Sequence, residues 1–406
     1  MSDQFLDIIY RIEMLGISLG LMGLFLGGLF LVGYVLFLLW KYRNREEHSL
    51  ETVLMQIAVP RDNEIKIDAA EQMFASLHSI AHGDFWSFLK PQEHLSFEIV
   101  ARPEDIRFYV AVPKKLTDLV EKQIHGAYPG ADIRQVDEYS IFSEKGKVAF
   151  AALCLSGADY QPLRVYRDLP TDPLSSITSV LAKMRPGEGA AIQILIQPTA
   201  DKWRGIGRSF ISKTKKNEAN PDKASFSVDA KTLEAIEQKV SKPGFNTVIR
   251  CVVSSENEES AKMHLDNLLT SFSQFSSDHN HLTKVKMPFK QLFMMDFIYR
   301  YFPIMNMPLF RQFSVLNSDE LASVYHLPNK SVETAHIYWL NAKRAPAPSQ
   351  IPMSGLYLGK SRYRGVERPI YVGDDDRRRH MYIIGKTGTG KSQLLEEMIM
   401  QDINEG

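Results

Sequence analysis

From Met14 to Trp40 the chain runs 27 residues without a formal charge, MLGISLGLMGLFLGGLFLVGYVLFLLW. A bilayer core of about 30 Å takes about 20 apolar residues in a helix, so this stretch predicts a transmembrane helix with some tilt. Its two flanks differ. Asp3, Asp7 and Glu13 stand against Arg11 before it, whereas Lys41, Arg43 and Arg45 follow it. A cleaved leader would start basic and run shorter. The positive-inside rule puts residues 1–13 outside as an extracytoplasmic tail and the C-terminus in the cytoplasm, a single pass through the inner membrane. Gly16, Gly20, Gly23 and Gly27 fall on one helix face. Small residues so placed let a second helix approach closely, although glycine is also common in membrane helices in general.

Beyond a charged juxtamembrane connector, residues 41–65, the hydrophobic period alternates between helix and strand. Asp68-Ala-Ala-Glu71 has the form of a capping box, opening a helix with Met73, Phe74, Leu77 and Ile80 on one face. Leu95–Ala101 and Ile106–Val112 read as a hairpin about Arg102–Asp105. Pro113 then leads a helix that buries Leu116, Val120 and Ile124, and a short strand near Ala131–Val136 closes the unit. The order αββαβ returns downstream. Asp172-Pro173 caps a helix carrying Leu174, Ile177, Leu181 and Met184, and Ala191–Gln197 and Phe245–Val253 are candidate strands. A helix through Ala261, Leu265 and Leu268 and a strand over Leu282–Lys286 complete it. Val148–Leu155 and Leu163–Arg167 are strand-like joining segments. The pattern predicts an α+β protein, with a duplicated ferredoxin-like domain over residues 66–290.

The second unit holds an insertion, residues 199–243, in place of a tight turn. Between Asp201 and Glu218 it carries Lys202, Arg204, Arg208, Lys213, Lys215 and Lys216 without an acid, interleaved with Trp203 and Phe210. Such a cluster would bind DNA or anionic headgroups through phosphate, though a solvated helix face is the stronger reading. Residues 291–353 form a connecting region rich in aromatics and methionine, better suited to core or an interdomain surface than to a cofactor. It ends in a linker with Pro346, Pro348 and Pro352. Overall charge changes little in this picture. Lysine plus arginine and aspartate plus glutamate number 48 each, which excludes a globally basic nucleic-acid coat. Cys154 and Cys251 are too few for a disulfide framework or a tetrahedral zinc site. His264, His279 and His281 lack metal-ligand spacing and read as surface residues.

The chemistry-bearing motif stands in the last segment, residues 354–406. Gly385-Lys-Thr-Gly-Thr-Gly-Lys391-Ser392 fits G-x-x-x-x-G-K-[ST] in full. Gly385, Gly388 and Gly390 let the backbone N–H groups of Thr387, Thr389 and Gln393 curl about a phosphate chain. Lys391 would reach the β- and γ-phosphates of ATP, and Ser392 would ligand Mg²⁺. Met381–Ile384 is a short apolar run suited to a strand, and Leu394, Leu395, Met398 and Ile399 share a helix face. Strand, P-loop and helix together predict the start of a RecA-like α/β ATPase domain.

The stretch IGKTGTGKSQLLEEMIMQDI resembles the P-loop of HerA/FtsK-type DNA-translocating ATPases, above all the conjugative coupling proteins of the TraG/TraD type. Residues 314–352 and LYLGKSRYRGVERPIYVGDDDRRRHMY are similar to the segments that lead into the motor of such membrane-anchored proteins. The resemblance implies a homo-oligomeric, hexameric ring that threads DNA on ATP hydrolysis, working with secretion or conjugation apparatus proteins of a type IV system, with Lys391 as the catalytic cation. One departure stands out. The motor's Walker B carboxylate and arginine finger should follow the P-loop helix, and 14 residues follow Ser392. The expectation is a fragment of a longer translocase, inactive alone, rather than a degenerate relative. Two other functions stay open: a membrane-anchored scaffold with regulatory nucleotide, and an ATPase for protein export.

Overall fold

The computed structural model describes residues 2–81, 91–218, 229–285, 287, 289–304, 306, 311–340, 346–363 and 366–405. The expectations for residues 219–228 of the insertion, for Lys286 and for residues 341–345 of the linker lie outside these.

One helix, α1 (Ser2–Lys41), takes up the N-terminal segment and is long and apolar enough to cross a membrane. It is continuous from Ser2, so the acidic flank expected as a separate tail is its first turns. No heavy atom from elsewhere comes within 4 Å of a Cβ placed on Gly16, Gly20, Gly23 or Gly27, so that face is open. A short helix α2 (Arg45–Leu50) follows, and then a strand, β1 (Thr52–Ala58), where a connector was expected.

The body is a mixed α+β fold on an antiparallel sheet. Its first half runs β1, α3 (Asp68–Leu77), β2 (Leu95–Arg102), β3 (Asp105–Pro113), α4 (Thr117–Ala127) and β4 (Asp132–Gln135). The second runs β5 (Lys147–Leu155), α5 (Pro173–Leu181), β6 (Gly189–Pro198), β7 (Gly244–Ser255), α8 (Glu258–Ser271) and β8 (Leu282–Val285). Helices α6 (Lys202–Glu218) and α7 (Ala230–Ser241) sit between β6 and β7. Then come α9 (Lys290–Ile298), β9 (Ser314–Asn317) and α10 (Ser318–Val324). The strands lie in the order β4-β1-β3-β2-β6-β7-β5-β8. Each half is therefore βαββαβ, not αββαβ. β1 and β5 are its first strands, and each lies next to the half's third strand. The halves join edge to edge through β2 and β6, paired antiparallel from Leu95↔Ile196 to Ala101↔Ala190. β9 pairs with the start of β7, Gly244↔Asn317 to Thr247↔Ser314, a stretch that β5 leaves free. Residues 163–167, expected as a strand, instead lead into a 3₁₀ turn at Tyr166–Asp168.

Side-chain alternation gives the sheet two faces. On one, Phe97, Ile99, Phe108, Ile192, Ile194 and Ile249 pack beneath α3, α4, α5, α8 and α10, as in Phe74 and Leu77, Val120 and Ile124, Ile177, Leu265 and Leu321. On the other, Val100, Tyr109, Ala191 and Val252 meet Phe293 and Phe297 of α9. Asp172 caps α5 as expected, its carboxylate accepting from Leu174 N. The capping box at Asp68–Glu71 does not form: Ile67 is the N-cap, without a side-chain bond. Asp68 and Glu71 turn outward to Arg167 instead, and Glu71 also to Lys242, which along with Arg167 pairs with Asp319. Long-range cations have displaced a local cap. Burial opposes charge on Glu71, but bonds from Asp319, Lys242 and Arg167 outweigh it and hold its pKa at about 2. Burial and the neighbouring Glu71 push Asp319 up, as for two carboxylates sharing a proton.

The α9-covered face has a polar centre. Glu98, fully buried, accepts from Arg300 Nε at 2.8 Å and from Gln193 Nε2 at 3.0 Å. Burial works against its charge, but Arg300 beside it, with the Ser96 hydroxyl, brings the pKa below its usual value. A depressed folded-state pKa contributes stability that is present above the unfolded value of about 4.3 and lost as pH falls through the folded one. Acid titration of the parent should show stability falling below about pH 4.5. In Glu98→Gln the part of that fall due to this residue should be missing, and an unchanged acid profile would contradict the assignment.

Candidate phosphate-binding loop

Past the body, β10 (Leu356–Tyr363) and β11 (Val366–Val372) form a two-stranded hairpin, followed by a helical turn α11 (Asp374–Arg377) and the helix α12 (Lys391–Glu405). Gln401 on α12 bonds both the N–H and the carbonyl of Tyr357, and Asp402 pairs with Arg377. These contacts seat α12 beside the hairpin.

The glycine segment links the two. Gly388 and Gly390 take φ of +82° and +85°, the left-handed region that a Cβ penalises and glycine enters freely. Gly385 stands so close that a Cβ there would lie 2.6 Å from Thr389 Oγ1. Thr389 ties the loop internally, its N–H and hydroxyl both donating to Lys386 O, at 3.2 and 2.7 Å. Leu394 N donates to Gly390 O at 2.9 Å, the first turn of α12. The N–H groups of Lys391, Ser392 and Gln393 precede that bond and so lack an intrahelical acceptor, and the helix dipole adds its positive end there. Lys391 Nζ donates to Gly385 O at 2.6 Å and Lys386 O at 3.0 Å, folded back across the loop. The arrangement is a cradle of N–H groups, a cation and a hydroxyl, which suits an anionic phosphate chain. Thr387, Gly388, Thr389 and Gly390 lie on the loop, and Lys391, Ser392 and Gln393 open α12.

ATP fits the donors present. For Mg²⁺ the loop offers Ser392 Oγ, and among the described residues no group of three His, Cys, Asp or Glu stands together to hold a metal. The ion would come with the nucleotide, its remaining oxygens supplied by phosphate and water. Met381–Ile384 departs from expectation: it forms neither strand nor helix, and among the described residues no strand pairs with it. Tyr382 is 88% and Ile384 80% exposed, and Leu395, Ile399 and Ile403 on α12 are exposed too. A buried strand needs partners on both edges to satisfy its N–H and C=O groups, and none is supplied here.

The basic cluster of the insertion lies on α6. Lys202, Arg208, Lys213, Lys215 and Lys216 are exposed, and Lys215 stands 3.9 Å from Glu237. Arg204 is turned away, bonded to Asp201 and to Lys242 O. The two aromatics are not free for base stacking: Trp203 is buried with Ile211, Leu233, Ile236 and Val240, and Phe210 packs on Tyr160. Any nucleic-acid contact at α6 is therefore by charge alone. If it binds duplex DNA, replacing Lys213, Lys215 and Lys216 by glutamine should lower the slope of log affinity against log salt by about 2–3. An unchanged slope leaves α6 a solvated face.

Sequence reasoning missed the buried ionic groups. Lys239 and Glu320 pair at 3.0 Å, each side chain 1% exposed, and His326 Nε2 meets Asp172 at 2.9 Å. Their partners stand 81 and 154 positions apart, beyond any local pattern; the one local signal is Asn317-Ser-Asp-Glu320, which forms a full capping box. No curated protein matches the chain. Residues 43–340, from the turn after α1 to the far side of the sheet body, match a family model described as "Domain of unknown function (DUF8128)", and the chain belongs to that family.

Proposed function

We propose that this chain is the membrane-anchored, ATP-binding part of a DNA-translocating ATPase of the HerA/FtsK and coupling-protein kind, serving conjugative or type IV secretion-like transfer. The observation that carries the reading is the loop at 385–393: two left-handed glycines, an internally tied turn, and Lys391 at the head of a helix. In this reading α1 anchors the chain in the cytoplasmic membrane, and the body on its C-terminal side is cytoplasmic. The strand order, four-one-three-two in one half and its mirror in the other, supports a duplicated ferredoxin-like domain.

ATP supplies a phosphoanhydride whose cleavage releases the free energy for movement. Lys391 would hold phosphate oxygens in place of the carbonyls of Gly385 and Lys386, and the N–H groups at the start of α12 would stabilise the phosphates' negative charge. Ser392 would supply its hydroxyl oxygen to the metal. The exposed apolar face of α12 and Met381–Ile384 has the character of the interior of a parallel sheet, which favours a larger α/β domain about this loop. Subunits would associate as a homo-oligomer, a hexamer in the coupling proteins, and engage DNA and secretion-apparatus proteins. Purified chain should bind ATP without turning it over, because among the described residues no group of three His, Cys, Asp or Glu stands together to hold the metal and an attacking water. Hydrolysis that Lys391→Ala removes would contradict that, and no binding at all would remove the reading.

A further inference from the structure

Helix α9 is apolar on both sides. Phe293 and Phe297 face the sheet and are buried, whereas Leu292, Met295 and Ile298 on the outward side are 50%, 47% and 53% exposed, with Phe289 at 68% just before them. Leu50, 72% exposed, and Phe142 extend this surface, because both line one concavity with Ile298. A helix with large apolar side chains on two opposite sides is ordinarily enclosed on both by protein or by lipid, and this one is enclosed on one.

The place of α9 points to what covers the other. Its C-terminal end is fastened to the residues that follow the apolar helix α1. Ser49 Oγ donates to Tyr299 O at 2.5 Å, and the Arg45 guanidinium lies over the Tyr301 ring at 4.1 Å. Ser49 is eight residues beyond Lys41, the last residue of α1. The intervening residues are a tight turn and one short helix, which at about 1.5 Å per helical residue keeps the end of α9 within roughly 12 Å of the end of the span, near the interfacial layer of about 5–8 Å on each side of the hydrocarbon. Lys41, Arg43 and Arg45 follow the span directly and place positive charge at its end, the complement of an anionic leaflet, ahead of Glu46 and Glu47 on α2. A cavity of about 310 Å³ opens between the same two segments, lined by Tyr42, Arg45, His48, Tyr299, Tyr301 and Phe302. Its rings and cations suit the level where headgroups meet acyl chains.

We propose that α9 is a monotopic interfacial helix: its outward face lies in the leaflet that α1 enters, so that the α9-covered face of the sheet is held against the membrane. The body is then fixed in orientation by two attachments, a span and an apolar face, rather than swinging on one. The proposal rests on the reading of α1 as a membrane span. It extends that reading, because the span alone leaves the orientation of the sheet open.

Nitroxide accessibility in proteoliposomes of phosphatidylcholine and phosphatidylglycerol tests it with the full chain. Single cysteines are placed by Leu292→Cys and Met295→Cys. Leu29→Cys reports the span, and Met263→Cys reports the exposed side of α8 on the opposite face of the sheet. Cys154 and Cys251 are buried and should not label in the folded protein. The expected result is that labels at 292 and 295 collide with oxygen several-fold more than with a water-soluble nickel chelate, as at 29, while the ratio reverses at 263. Labels at 292 and 295 that behave like 263, with 29 in lipid, would overturn the proposal and leave the span intact. Low collision with both reagents at 292 and 295 would mean that protein covers α9, and would overturn it in favour of a second copy. A label at 29 that reads as aqueous would overturn the span and the proposal together.

Discussion

Arg250→Leu should destabilise the body by about 3–5 kcal/mol. Arg250 is 1% exposed, at the middle of β7. Its Nη1 donates to Gln193 Oε1 at 2.9 Å and to Asp296 O at 2.8 Å, and its Nη2 to Tyr301 O at 2.7 Å. Burial lowers its pKa to about 10, which leaves it charged at neutral pH. Two of those acceptors are backbone carbonyls at the end of α9 and just after it, where the helix dipole is negative and cations are favourable. Leucine fills much of the volume but leaves three buried acceptors without this donor, at about 1–3 kcal/mol each before relaxation. Arg250→Lys should cost less, because it keeps the charge and one donor direction while losing the fork. Urea unfolding in detergent, followed by far-ultraviolet circular dichroism of the α+β body, measures both. A change under about 1 kcal/mol in Arg250→Leu would mean that the 296–301 segment is not fastened to the sheet in this way.

Lys391→Ala should weaken ATP binding by about 3 kcal/mol, roughly a hundredfold in Kd. Alanine leaves the glycine turn, the Thr389 bonds and the N–H groups at the head of α12 in place, so the loop should keep its shape. What goes is the charge now seated on Gly385 O and Lys386 O, the group able to move onto phosphate. Ser392→Ala should behave differently. Its loss should be large with Mg²⁺ present and small without it, since the hydroxyl acts through the metal. Fold stability should be nearly unchanged in both, because Lys391 and Ser392 lie outside the buried clusters.

The apolar helix was legible because a charge-free stretch of 27 residues matches a bilayer crossing and is longer than a buried core helix ordinarily needs. The β2–β3 hairpin and the helices α3, α4, α5 and α8 were legible because each has one buried face, which stamps a period on the sequence. β1 was not. Leu54-Met55 and Ile57-Ala58 are consecutive buried pairs, because the strand has protein on both faces, and so it shows no alternation behind its charged approach. Asp68 and Glu71 show the limit from the other side. Their spacing is right for a cap, but Arg167 and Lys242 compete from 96 and 171 positions away, and spacing carries no trace of them. Glu98 is a single charge within the β2 run, and nothing local marks that it is buried against Arg300, 202 residues downstream. Gly388 and Gly390 were legible for the opposite reason. The demand for positive φ is local, so the motif itself states it. Met381–Ile384 has the composition of a strand, but strand formation depends on partners, and composition does not supply them.

The central claim, that residues 385–393 bind a nucleotide phosphate chain, is tested most directly by titrating ATP with Mg²⁺ into the full chain in nanodiscs, calorimetrically, in parallel with Lys391→Ala. Saturable one-to-one binding to the parent, weakened about a hundredfold in the variant, is the result expected. Equal heats and equal affinity in the two proteins, or no binding to the parent at millimolar ATP, would contradict it.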